Sequence, residues 1–242
     1  VAIGRSSTAN KENGIVMGID SHVNGDNAMA IGNHATANQI NSVSIGKDVH
    51  ANAENSVVIG RDSGTQGANS LAIGSRAFTN NKDSVVIGNE VSSTAEKTII
   101  LGDHSYANAK NSVVIGMNST VNAENTVSIG NASHAKGESS ISFGASSVSD
   151  AKKSIALGAE SIANREAGVK GESFGAVNTE GAVWTATLGA LSIGENSTKT
   201  RQITGVAAGK EDTDAVNVAQ LKQIKHNIDK NSHLNYTTDT KS

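Results

Sequence analysis

The chain has 242 residues, a formal net charge of −3 at pH 7, 25 glycines, no proline and no cysteine. So balanced a charge leaves no electrostatic footprint for nucleic acid or an anionic membrane, and the missing cysteine excludes a disulfide scaffold and thiolate metal ligands. The aromatics are only Phe78, Tyr106, Phe143, Phe174, Trp184 and Tyr236, so any interior must be thin and filled with Val, Ile, Leu and Ala.

From Gly4 to Gly158 a glycine returns every fourteen residues without a slip, each time after a large apolar residue such as Ile31, Ile59 or Leu157. A fixed short period over most of a chain describes stacked identical units, not a globule folded around a centre. Fourteen residues are too few for a helical pair or a propeller blade. They suit one turn of a β-solenoid, with two short strands and two tight corners. Twelve coils at ~4.8 Å make a rod about 55 Å long.

The first strand of each coil ends at the glycine. Its flanking apolar members, Val57 and Ile59 in one coil, share a face by the two-residue alternation of a strand and are expected inside. The residue between them points the other way and is mostly apolar too, as at Val58, Val86, Ile100 and Val114. A strand apolar on both faces is buried on both. This column therefore predicts an obligate oligomer, with those four residues packed between solenoids.

The second strand reads differently. Small residues such as Ala35 and Ala37, or Ser133 and Ala135, stand three and five places after glycine and are expected to face inward. Polar and ring-bearing residues lie beside them, and His34, Asp48, His50, Arg76, His104, Tyr106 and His134 form the candidate outward binding face. Glycine supplies one corner because it tolerates positive φ. Asn10, Asn24, Asn38 and Asn52, six places after it, are expected to turn the other.

After Gly158 the pattern breaks, and Leu191-Ser192-Ile193-Gly194 resumes it 36 residues on. The intervening stretch is rich in glycine and holds Trp184, read as a packing anchor. It is either a hairpin projecting from the coil or a strand reaching a neighbour. Val218, Leu221, Ile224 and Ile228 then recur at helical spacing. Leu221, Ile224 and Ile228 fit an a/d seam that Asn231 and Asn235 continue with polar groups, which usually fix register and strand number. Asp212 or Thr213 is the expected N-cap.

Other chemistries fit poorly. His22 and His50 share a column but stand two coils apart, roughly 10 Å, whereas zinc needs ligands at about 2 Å from one centre. Catalysis needs a concave site with convergent groups, and no loop longer than a corner interrupts the coils. Thr8, Thr36 and Thr120 are too sparse for the flat threonine array of an ice-binding solenoid. The expectation is a non-enzymatic protein without cofactor or metal.

Two stretches resemble a known family. Asn41-Ser42-Val43-Ser44-Ile45-Gly46, Asn55-Ser56-Val57-Val58-Ile59-Gly60 and Asn111-Ser112-Val113-Val114-Ile115-Gly116, with Asn69-Ser70-Leu71-Ala72-Ile73-Gly74 as a near copy, repeat one motif. The run from Arg201-Gln202-Ile203 to Gly209, followed by Asp212 to Leu221, matches a neck sequence. Together they resemble the YadA-type trimeric autotransporter adhesins of Gram-negative bacteria. The resemblance implies an all-β fold with a short C-terminal helix: a left-handed parallel β-roll of 14-residue coils, homotrimeric, leading through a neck into a trimeric coiled coil. It divides the chain into head repeats (1–164), the insertion with the last head-like β segment (165–194), a neck (195–217) and the start of a stalk (218–242).

It further implies a cell-surface adhesin for host extracellular matrix proteins or cell-surface receptors. Such a protein would be secreted through a signal peptide and anchored in the outer membrane by a C-terminal region, neither of which this sequence shows. The expectation is therefore a piece of a longer protein, touching no nucleic acid and not itself touching the membrane. In the family this motif is associated with collagen binding, so Asn41, Ser42, Asn55, Ser56, Asn69, Ser70, Asn111 and Ser112 are candidate matrix-binding positions. The competing reading makes them scaffold alone. In the neck, Arg201, Gln202, Ile203, Asp212, Asp214 and Asn217 carry the match. Arg201 and Asp214 form either an ion pair between subunits or part of a solvated loop. The alternative function is a structural spacer or self-association module whose receptor site lies elsewhere in the full-length protein.

Overall fold

The computed structural model describes residues 1–175, 177 and 179–238, with side chains described as far as residue 231; the side chain of Asn235 lies outside that range. Residues 1–169 and 186–200 form one compact unit, and 170–185 with the described residues from 201 onward form another.

In the first unit every coil lays one strand on each of two parallel sheets. The first sheet has thirteen strands, from Ala2–Ile3 to Leu191–Ser192, and the second has twelve, from Thr8–Ala9 to Ile162–Ala163. Each step of the ladder equals one coil: Val58 stands beside Ser44 on one side and Ala72 on the other. Parallel pairing without crossover helices is what a fourteen-residue period allows, since each strand reaches its partner after one circuit.

The facing of the first strand is the reverse of the sequence expectation. Val58, Val86, Ile100 and Val114 are fully buried inside their own coil and cannot pack between subunits. Val57 and Ile59 flank Val58 on the outer face instead. Side-chain size decides this. The two sheets are joined by tight corners, so the space between them admits one small side chain from each wall. Val, Ala and Ser fill it from the first strand, and small residues such as Ala37, Ala51, Ala107 and Ala135 fill it from the second. Larger Ile and Leu are mostly left outside.

Serines in the lumen are tied off. Ser128 and Ser133 hydroxyls lie 2.6 Å apart, and those of Ser142 and Ser147 2.7 Å. Thr65 and Thr79 hydroxyls are buried with no partner.

One corner also differs from expectation. Gly60 has φ +146°, and the two left-handed non-glycine positions of each coil are illustrated by Asn55 (φ +54°) and Asp62 (φ +52°). Asn10, Asn24, Asn38 and Asn52 do not hold the second corner. Their amides stack as a ladder along the surface, each donating to the next at 2.6–2.9 Å.

The two arms of the insertion, 168–171 and 184–186, pair antiparallel. At its base the Gly168 N–H donates to Ala186 O at 2.7 Å and the Ala186 N–H to Val169 O at 3.0 Å. Within the second unit, Lys170 bridges Thr185 and the Gly171 N–H donates to Trp184 O at 2.7 Å. Trp184 is half-buried. Leu191 then takes its place beside Ile155, so the sheet resumes in register.

The second unit continues into a helix, Val218–Thr238. Its N-cap is Asn217, not Asp212 or Thr213. Asn217 Oδ1 accepts from the Gln220 N–H at 3.1 Å, and Gln220 Oε1 accepts in return from the Asn217 N–H at 3.1 Å, a reciprocal capping box. Gln220 also bonds both backbone groups of Gly209, and Asn217 Nδ2 donates to Val206 O. The neck chain is thereby stitched to the helix start. Asp214 accepts from the Lys210 and Glu211 amides at 2.9 and 3.0 Å; these bonds hold its carboxyl below the usual carboxylate range. Leu221, Ile224 and Ile228 are more than half exposed in the single chain, and Asn231 is exposed.

Candidate binding surface

The solenoid unit presents two sheet faces and two corner rows. The outer face of the first sheet is an unbroken apolar wall, mostly aliphatic. Ile59, Ile87, Leu101, Ile115, Phe143 and Leu157 keep between 36% and 49% of their surface exposed, and Val57, Val85, Val113 and Val127 stand beside them half-buried. Each such side chain left in water forgoes about 1 kcal/mol or more of burial. A patch this continuous marks a contact surface.

The Asn-Ser-Val-x-Ile-Gly motif resolves into structural duties. Asn41, Asn55, Asn69 and Asn111 take left-handed φ near +55° and hydrogen-bond their neighbours one coil on, as Asn41 Nδ2 does to Asn55 Oδ1 at 2.9 Å. Ser42, Ser56, Ser70 and Ser112 are buried and lock the turn: Ser56 Oγ donates to Ala53 O and Ser112 Oγ to Ala109 O, both at 2.6 Å. The serines offer nothing to a ligand, and of the candidate matrix-binding positions only the asparagines reach the surface. Val and Ile build the wall, the residue between them fills the lumen, and glycine turns the corner.

The candidate outward residues fall into two rows. His34, Asp48, Arg76 and His104 occupy the left-handed corner two places after glycine. There His34 Nδ1 lies 3.1 Å from Asp48 and its Nε2 3.6 Å from Asp20, while Glu90 joins Arg76 and, at 2.9 Å, His104. The Asp48 carboxyl is held low chiefly by its bond to Lys47, with His34 adding to it. These pairs are substantially exposed and contribute little to stability.

His50, Tyr106 and His134 instead lie on the outer face of the second sheet, where the structure adds Phe78, which sequence reasoning passed over. Along this face the register runs Thr8, His22, Thr36, His50, Gly64, Phe78, Ser92, Tyr106, Thr120, His134. From His22 to His134 a ring thus stands on every second coil, with a small residue between; Val148 and Ile162 follow in the last two coils. Reading the sequence at a period of 28 would have found it. Thr8, Thr36 and Thr120 hydroxyls pair with Nδ1 of His22, His50 and His134 at 2.8, 2.7 and 2.8 Å. The Phe78 ring lies over Gly64. These four rings therefore lean the same way, over the preceding coil. Burial pushes the His134 imidazole pKa down, with Lys136 adding to the shift and Asp150 opposing it. An open groove of about 420 Å³ lined by Asn81, Asn108, Lys110, Asn122 and Glu124 lies on the neighbouring corner.

Two family models match this architecture. The YadA head domain repeat matches seven segments between residues 1 and 161, together over half of the chain, and the coiled stalk of trimeric autotransporter adhesin matches residues 202–241. The chain belongs to the YadA-type trimeric autotransporter adhesins. Among relatives in this family, autotransporter adhesin BadA of Bartonella henselae is 44% identical over 84 residues, 32% of this chain and 3% of BadA. Trimeric autotransporter adhesin AtaA of Acinetobacter sp. (strain Tol 5) is 53% identical over 45 residues, 18% of this chain and 1% of AtaA. The matches thus span a small fraction of those adhesins' length. The crystal structure of the collagen-binding domain of Yersinia adhesin YadA superposes with a TM-score of 0.50 and 26% identity, covering 85% of this chain and 86% of that one.

Proposed function

We propose that this chain is the head, neck and stalk start of a homotrimeric, non-enzymatic surface adhesin that binds host extracellular matrix, with collagen-like proteins foremost. The likeness to the YadA collagen-binding domain over 85% of the chain carries the reading. The aliphatic wall supports the assembly: three solenoids side by side would cover it, and parallel chains around one axis would bring Leu221, Ile224 and Ile228 together as a coiled-coil seam. The polar second-sheet face would then remain outward. A rigid row of repeated shallow contacts adds weak affinities into useful avidity. Family membership supports display at the bacterial surface through an outer-membrane anchor.

A solid-phase assay of the purified protein on collagens, fibronectin and laminin, with mass by light scattering, tests this. Saturable binding by a trimer supports the reading. A second reading, a spacer or self-association module, is favoured by the small share of BadA and AtaA that the chain spans. It predicts cell clumping with no binding to any matrix protein.

A further inference from the structure

We propose that the ring row on the second sheet is a docking ladder for a polyproline-II chain laid along the solenoid axis, one ligand turn for every two coils. The inference rests on the matrix-binding reading and names the surface, the ligand conformation and its direction. His22, His50, Phe78, Tyr106 and His134 occupy alternate coils of one unslipped register. Strands repeat at about 4.8 Å, so successive rings stand about 9.6 Å apart. A polyproline-II helix rises ~3.1 Å per residue with three residues per turn, about 9.3 Å per turn. Over the four intervals from His22 to His134 the two periods drift apart by about 1 Å, less than the width of a pyrrolidine ring, so all five rings stay in phase with the ligand.

The chemistry matches as well as the spacing. Planar faces separated by slots receive prolines in known aromatic-lined grooves that read this conformation. Threonine hydroxyls fix three of the imidazoles, and Phe78 rests on Gly64, so little ring motion is lost on binding. Phe78 and Tyr106, at the centre of the row, keep 40% and 42% of their surface exposed. Polyproline II has no internal hydrogen bonds and presents its carbonyls outward. The asparagine ladder beside the row uses one amide N–H per residue in the bonds from Asn24 to Asn38 and Asn38 to Asn52. The second N–H of each amide can donate to such a carbonyl.

The test uses the full 242-residue chain with a decaproline peptide, titrated by calorimetry alongside the matrix-protein panel. The wild type is expected to bind decaproline, and Phe78→Ser combined with Tyr106→Ser to bind it at least tenfold more weakly. The decisive variant exchanges neighbours, Phe78→Ser with Ser92→Phe. Its composition is unchanged but one ring moves to the wrong coil, and it should lose about as much. An unchanged unfolding midpoint shows that the head remains folded. Equal decaproline affinity in the exchanged variant overturns the proposal, as does binding of a β-linked glucan oligosaccharide in place of decaproline. Matrix binding without decaproline binding sinks this inference alone; loss of both sinks the matrix reading too.

Discussion

A β-carbon placed on Gly46 would overlap the carbonyl oxygen of Gly60. The same clash recurs between successive repeat glycines, each at a φ that L side chains rarely adopt, +135° at Gly46 and +146° at Gly60. Gly60→Ala should therefore cost ~3 kcal/mol or more, since backbone strain and a backbone clash add. Urea unfolding of the variant checks this, and an unchanged midpoint would refute it.

The left-handed corner asks something different of Asn55. Its φ of +54° suits asparagine or glycine and strains a β-branched residue. Asn55→Gly should stay within about 1 kcal/mol of wild type, while Asn55→Val should fall by roughly twice that or more. The order of the two melting temperatures is the readout.

Thr65 and Thr79 bury hydroxyls without partners. An unmade hydrogen bond of this kind costs about 1–3 kcal/mol. Thr65→Val and Thr79→Val keep the shape and remove the orphan, so each should raise stability by about 1 kcal/mol in denaturant titrations.

Neighbouring residues on one strand should fail in different ways. Val58→Ala hollows the lumen and should cost about 2 kcal/mol with assembly intact. Ile59→Lys combined with Ile87→Lys leaves the lumen untouched and places charge on the outer wall. It should yield a folded single-chain species by light scattering. A trimer of normal mass would remove the wall from the account of assembly.

His134 gives a pH signature. Its folded pKa is lowered, first by burial and then by Lys136, so the folded state resists protonation. Below the unfolded value of about 6.5 the unfolded chain binds the proton more readily. Stability attributable to this group is thus present above that pH and is lost as pH falls toward the folded pKa. His134→Gln should narrow the difference between melting temperatures at about pH 8 and about pH 5.5.

The solenoid is legible because its glycines and alternating pattern are local signals repeated twelve times, and the helix because Leu221, Ile224 and Ile228 keep a helical period. Facing is not legible at Val58 and Ile59. Both are large aliphatics, and only the width of the lumen, a tertiary quantity, says which one fits. Asn52 and Asn55 are hard to tell apart for a similar reason: asparagine is equally at home in a ladder and in a left-handed turn, and the sequence does not say which it serves. Gln220 shows its capping role locally, three places after Asn217, but not its bonds to Gly209, which depend on the neck folding back to bring that residue within reach. Phe78 is silent at the fourteen-residue period, because a single phenylalanine among threonines and histidines stands out only when the sequence is read two coils at a time.

Unslipped stacking gives the head a graduated scale. Excising fourteen residues should shorten it by one rung and leave every corner competent, yet it would set two rings, or two gaps, side by side at the join. Excising twenty-eight would restore the alternation. Recombination between repeats can therefore vary reach freely in single rungs, while any property that depends on the ring row survives only in even steps.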